Sequence, residues 1–185
     1  MRKLIYVINI TLDGCCEHTK IIPDDEILGL YFTKLTRDAG LQVFGRKTYE
    51  LMVPYWPNVA KNPSEAKEDR DFAEAFCALD KVVFSRSLKS VEDGNTRIVR
   101  TNLQDEILKL KQQPGNYILV GGVDLPSQLA ELGLIDEYRF VLWPVIGGEG
   151  RRLLEGVSLP GKLRLKLVES RNFKSGAVLL RYLKG

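Results

Sequence analysis

Several absences narrow what this chain of 185 residues can be. It holds three cysteines, two of them adjacent (Cys15, Cys16) and the third alone (Cys77), so no disulfide framework and no CxxC metal or redox motif is available. A single histidine, His18, leaves no zinc cluster and little basis for a Ser-His-Asp triad. No run of about 18 apolar residues occurs, which excludes a membrane-spanning helix. Basic residues barely outnumber acidic ones, 27 Lys plus Arg against 24 Asp plus Glu, and they form no block. Nucleic-acid binding would need a basic stripe, so it is not expected. The N-terminal stretch MRKLIYVINITLDG is basic and then apolar, but Asn9, Thr11 and Asp13 interrupt it and no small-residue cleavage site follows; it reads as a strand, and a cytoplasmic location is expected.

What is present is a composition suited to one globular domain, residues 1 to 185, with 44% hydrophobic and 28% charged residues. Apolar runs recur at LIYVINI (4 to 10), LQVFG (41 to 45), KVVFS (81 to 85), TRIVR (96 to 100), YILVG (117 to 121) and YRFVLWP (138 to 144). Segments of helical period separate most of them, the pattern of an α/β fold. One follows Pro23, with Asp24, Asp25 and Glu26 at its start and Ile27, Leu28, Tyr31 and Leu35 on one face. A second runs from about Ser64 to Leu79, after a Pro- and Asn-rich stretch, VPYWPNVAKNP, that reads as a loop. A third starts from Asn102 as N-cap, and a short fourth, LPSQLAELG, closes at Gly133. Near the C-terminus, LRLKLVE and AVLLRYL alternate around KSG, which predicts an antiparallel hairpin with one wet face. The expected architecture is a mostly parallel mixed sheet, helices on both faces, finished by that hairpin.

Ligands of open α/β sheets bind where strands end, because turn amides and helix N-termini converge there. Three strand exits suit an anion. VFGRKTYE (43 to 50) leaves a buried strand through Gly45 into Arg46, Lys47 and Thr48; FSRSL places Ser85 and Arg86 past the next strand; LVGGVDLPSQL offers Gly121, Gly122 and Val123. Guanidinium and hydroxyl groups suit phosphate. No acid stands at the end of LQVFG or KVVFS, where a dehydrogenase selective for NAD would hold the ribose hydroxyls, so a 2′-phosphate is favoured.

FGRKTYE, VVFSRSL, ILVGG and EYRFVLWPVIGGEG, in that order and spacing, with ITLDG near the N-terminus, resemble the dihydrofolate-reductase-like superfamily. The branch they resemble is the reductase domain of riboflavin biosynthesis, found as the C-terminal domain of bifunctional deaminase-reductases and in stand-alone relatives. The resemblance runs from Leu4 to about Leu183, and GRxT is its most specific piece. It implies a three-layer fold and an NADPH-dependent reductase with a small heterocyclic substrate, foremost 5-amino-6-(5-phosphoribosylamino)uracil. It also implies a homodimer. By the same resemblance Gly45, Arg46 and Thr48 surround the cofactor's phosphates with Lys47 beside them, Ser85 and Arg86 take the adenosine end, and Gly121 and Gly122 carry the pyrophosphate next to Val123. Ile8 and Ile10 flank the nicotinamide. No metal is implied. Leu28 stands where true dihydrofolate reductases hold a carboxylate, and Asp25 and Glu26 lie on other faces of the helix, which speaks against dihydrofolate reduction itself. The zinc deaminase domain has no counterpart here, so no deamination is expected. A dihydrofolate- or pterin-type reductase and a non-catalytic nucleotide- or ligand-binding protein on the same fold are the alternatives.

Proton handling is less determined. Asp13 either orients substrate, as the candidate catalytic carboxylate, or is half of an Asp-Gly turn. Glu17 and His18 lie in a loop that either covers the site or is solvated surface. GGEG (147 to 150) either offers backbone amides to a substrate phosphate or is a glycine-rich connection. Tyr49, Trp56 and Trp143 either stack on a ligand or belong to the core.

Overall fold

The computed structural model of the chain describes residues 1–21, 26–159 and 161–185. The helix start expected at Pro23, Asp24 and Asp25 lies outside the described residues. The fold is a mixed, mostly parallel α/β sheet of eight strands that ends in an antiparallel hairpin. Two compact units divide the chain: Met1–Arg2 with Pro23–Leu119, and Lys3–Ile22 with Val120–Gly185.

In the first unit the strands are β2 (Leu41–Gly45), β3 (Lys81–Phe84) and β4 (Thr96–Val99), paired parallel. LQVF and KVV are buried without alternation, as strands covered on both faces are. A π-helical segment, Glu26–Phe32, runs into α1 (Thr33–Arg37) and buries Ile27, Leu28, Tyr31 and Leu35, the stripe read from the sequence. α4 (Lys67–Ala78) and α5 (Leu103–Gln112) also stand where periodicity placed them, and the Asn102 side chain accepts from the Asp105 amide at 3.2 Å as an N-cap should.

VPYWPNVAKNP is not all loop. Trp56–Lys61 forms α3, with Pro57 in its first turn, where a missing N–H costs no hydrogen bond. Trp56 packs edge-on to Phe72 at 4.6 Å, so it serves the core. Phe44 and Val83 from the sheet, Tyr49 from α2 (Arg46–Met52) and its C-cap Val53, and Phe72 and Phe76 from α4 form one buried cluster. That cluster fixes α2, and hence GRKT, against β2 and β3.

The second unit holds β1 (Leu4–Thr11) and β6 (Glu137–Trp143), parallel, then β8 (Val178–Lys184) and β7 (Leu165–Asn172), antiparallel. The division falls within β5 (Ile118–Val120). α6 (Asp124–Glu131) follows the Gly-Gly turn, and Gly133, at φ 65°, closes it. The hairpin at KSG is present, with Gly176 at φ 83°. Its outer strand departs from expectation: from Lys166 to Asn172 every residue of β7 is exposed, so alternation there does not mark a buried face. Glu137, 1% exposed, accepts from Arg139 Nε and Arg181 Nε at 2.6 Å each. Burial opposes its charge, yet these guanidinium bonds hold its carboxyl below the usual value.

Phe76→Ala should cost about 3–5 kcal/mol by opening the cluster beneath α2. Urea unfolding of the variant measures this; a loss below about 1 kcal/mol would mean that α2 is held by something else.

Candidate functional site

In the first unit, the register of β2 with β3 pairs Gly45 with Phe84, so the residues that follow, Arg46 and Ser85, leave adjacent strands at the same level. Gly45 is the N-cap of α2 at φ −80° and ψ 163°, a conformation open to any residue. No side chain caps α2, and Thr48 is half-buried in its first turn. Arg46 is exposed and bonds Glu50 one turn on, at 2.9 Å. An exposed pair of this kind is weak, leaving the guanidinium exchangeable. Lys47 is exposed on the same turn.

Ser85 is anchored through its amide to Val99 O at 3.1 Å, and its hydroxyl accepts from the amides of Ser87 and Leu88 at 3.2 and 2.9 Å. It therefore shapes the SRSL turn. Arg86, exposed in that turn, makes no ion pair among the described residues. β4 ends level with them, and Arg100 donates to Leu88 O at 2.6 Å, bracing the same turn.

In the second unit, a Cβ on Gly121 would meet Val7 O at 3.9 Å, an ordinary contact, so the position is not crowded. Gly122 sits at φ 87°, a left-handed conformation that requires glycine. The buried Tyr6 hydroxyl donates to Gly122 O at 3.0 Å and fixes the turn ahead of Val123, the N-cap of α6. Burial raises the Tyr6 pKa well above normal, so the phenol keeps its proton. Ile8 and Ile10 share the Tyr6 face of β1 by strand alternation; Ile10 is buried and Ile8 half-buried. Tyr6 was not singled out by the sequence, because its apolar neighbours make it read as core.

Asp13 does not stand open to a ligand. Its Oδ1 accepts from the Thr11 hydroxyl at 2.5 Å and the Gly147 amide at 2.9 Å; its Oδ2 accepts from the Gly148 amide at 2.9 Å and Arg152 Nη1 at 2.8 Å. A carboxylate has about four lone-pair sites, and four donors take them. The Thr11 hydroxyl bond, then the Gly147 amide and Arg152, hold its pKa well below the carboxylate range. That stabilisation is present above the unfolded value of about 3.9 and is lost as pH falls through lower values. The carboxylate that the sequence offered either as substrate-orienting or as half of an Asp-Gly turn is bonded within the protein. GGEG is likewise explained by packing: a Cβ on Gly147 would come within 2.8 Å of Cys15 Cβ, and one on Gly150, at φ 123°, within 2.8 Å of Cys15 Sγ.

The remaining candidates are structural. Trp143 is buried and donates Nε1 to Asn9 Oδ1 at 3.0 Å, and Tyr49 donates to Asp93 at 3.2 Å. His18 is exposed, and its Nδ1 lies 3.1 Å from Glu17. Burial, with Cys15 adjacent, pushes the Cys16 thiol up to about 11, so it is no nucleophile at neutral pH. Lys81, 2% exposed, spends its protons on Leu79 O, Asn95 Oδ1 and Cys77 O, at 2.7, 3.3 and 3.4 Å, and thereby closes the end of α4. Among the described residues no cluster of His, Cys, Asp or Glu is arranged to hold a metal, and no helix is long and apolar enough to cross a membrane.

The α/β sheet with its terminal hairpin is the fold of the dihydrofolate-reductase-like class. Residues 2–179 match the RibD C-terminal domain, and the chain belongs to that family. It is 32% identical over 184 residues to the uncharacterized protein YyaP of Bacillus subtilis (strain 168), covering 98% of this chain and 94% of that one. Among solved structures it is similar to a protein of Shewanella sp. PV-4 ascribed to riboflavin biosynthesis (TM-score 0.76, 19% identity, 99% of both chains). It is also similar to a diaminohydroxyphosphoribosylaminopyrimidine deaminase/5-amino-6-(5-phosphoribosylamino)uracil reductase of Thermotoga maritima (TM-score 0.67, 18% identity), covering 100% of this chain and 57% of that one.

Tyr6→Phe removes the hydroxyl that holds Gly122 O and leaves that carbonyl unsatisfied, a loss of about 1–3 kcal/mol. Denaturant unfolding should show it; full stability in the variant would mean that the turn does not depend on Tyr6.

Proposed function

We propose that the chain is an NADPH-dependent reductase of the riboflavin-biosynthesis type, with 5-amino-6-(5-phosphoribosylamino)uracil as leading substrate. The observation that carries this reading is the shared level of the β2 and β3 exits, which brings uncapped helix-start amides, Arg46, Lys47, Thr48, Ser85 and Arg86 to one sheet end. Membership of the RibD C-terminal domain family supports it.

The residues fit the cofactor. Backbone amides of α2 and the Arg46 guanidinium suit phosphate oxygens, and Arg86, exposed and without an ion pair among the described residues, suits the extra 2′-phosphate that distinguishes NADPH from NADH. The uncrowded Gly121 and the φ of Gly122 suit a pyrophosphate beside the turn that Tyr6 holds. Ile8 and Ile10 offer an apolar flank for a nicotinamide ring. The cofactor supplies the hydride; the chain's part is to bind, orient and keep water away from the acceptor. Cytoplasmic location and assembly as a homodimer complete the proposal.

Losing Arg46 or Arg86 should lower NADPH affinity by about 1.5–3 kcal/mol, the scale of a hydrogen bond to a charged group. For Arg86→Ala the loss should be much smaller with NADH. Fluorescence titration of both cofactors measures it, followed by turnover of the ribosylaminouracil. Equal losses for the two cofactors remove Arg86 from the 2′-phosphate; tight NADPH binding without turnover of that compound removes the leading substrate.

A further inference from the structure

The bond set around Asp13 is built like an anion-binding site whose anion is the protein's own. Two successive amides, Gly147 and Gly148, converge on one carboxylate, and successive backbone N–H groups of this kind form a concavity that attracts negative charge. Arg152 supplies the counter-charge. Its Nη1 reaches both Asp13 Oδ2 and Asp13 O, and its Nη2 donates to Gly148 O, so one side chain grips both sides of the contact. Thr11, the last residue of β1 and 1% exposed, donates its hydroxyl to Asp13 while accepting from the Cys15 amide at 2.9 Å. The carboxylate is thus aimed by a strand end and not by a free loop.

Main-chain bonds stitch only the margins of the same loop. Leu12 N donates to Val145 O, Cys16 N to Arg151 O and Leu153 N to Gly14 O, at 2.8 to 2.9 Å. Between them, the amides of Gly147 and Gly148 find their acceptor in Asp13. The buried Cys15 forms the seat beneath, its thiol donating to Glu149 O at 3.4 Å. Neighbouring Arg151 extends the far side of the loop to Asp124 at the start of α6, at 2.7 Å. The loop therefore links the end of β1 to the helix that follows the Gly-Gly turn, and Asp13 is its central fastening.

We propose that Asp13 is a positioning residue: it acts as the internal anion of the Gly147–Gly148–Arg152 nest, fixes that loop at the end of β1, and keeps external phosphate out of it. An anionic substrate group must then be held by other residues of the chain. This deepens the reductase reading in one respect only, that of turnover; the state of the nest can be measured whether or not that reading holds.

The test uses the full chain and amide hydrogen exchange read by NMR. In Asp13→Ala, exchange at Gly147 and Gly148 should rise about tenfold or more, while Leu12 and Cys16, bonded to the loop margins, stay as in the wild type. Inorganic phosphate at millimolar concentration should then shift the Gly147 and Gly148 resonances of Asp13→Ala and leave those of the wild type alone. Arg152→Gln, which keeps the carboxylate, provides a second variant in which the same two amides should exchange faster. Unaltered exchange at Gly147 and Gly148, loosening of all four amides together, or equal phosphate shifts in wild type and variant would overturn the proposal. If the wild type turns over, Asp13→Ala should keep its NADPH affinity within about twofold and lose about tenfold to a hundredfold in kcat, the scale of a misplaced site. A wild type that binds no NADPH would sink the reductase reading and leave the exchange results to judge Asp13.

Discussion

Parallel pairing of β2 with β3 sets which side chains leave the sheet together. Because parallel strands run the same way, their C-terminal ends share one edge, and a register that pairs Gly45 with Phe84 puts Arg46 and Ser85 level with each other. A shift of one residue would turn one strand's buried positions to the opposite face, and burial without a break along both strands resists that slip. The aromatic cluster of Phe44, Phe72 and Phe76, with Tyr49 from α2 and its C-cap Val53, then holds the helix against the strand ends. The start of α2 is thus placed by the packing of apolar and aromatic side chains.

The second unit handles charge differently. Asp13 and Glu137 are both carboxylates consumed by the protein's own guanidinium and amide donors. Asp13 accepts four bonds and Glu137 three, and the Cys16 thiol keeps its proton at neutral pH. The glycines of this unit divide into two kinds. Gly122 exists for its backbone angle, and Gly147 and Gly150 exist because Cys15 lies too close for a side chain.

Much of the fold was legible in the sequence because periodicity is a local signal. β2 begins and ends where LQVFG does, and α5 begins where Asn102 caps it. α3 was hidden because Pro57 and two asparagines read as loop, although proline is compatible with a first helical turn. The exposure of β7 was hidden because alternation reports a period and not what covers each face. Of the candidate site, the GRKT and SRSL exits could be read as strand ends, since the apolar runs before them are plain, and the register sets those ends side by side. Asp13 could not: Asp-Gly after a strand looks alike whether the carboxylate meets a substrate or a loop 134 residues away, and nothing in GEGRR marks Arg152 as its partner.

A crystal structure of the chain with NADPH bound is the most direct measurement of the central claim. The account predicts the cofactor's phosphates within hydrogen-bond distance of the backbone amides of residues 46–48, with the 2′-phosphate on the Arg86 guanidinium. Phosphates bound away from both turns, or saturating NADPH that leaves residues 45–48 and 85–86 untouched, would contradict it.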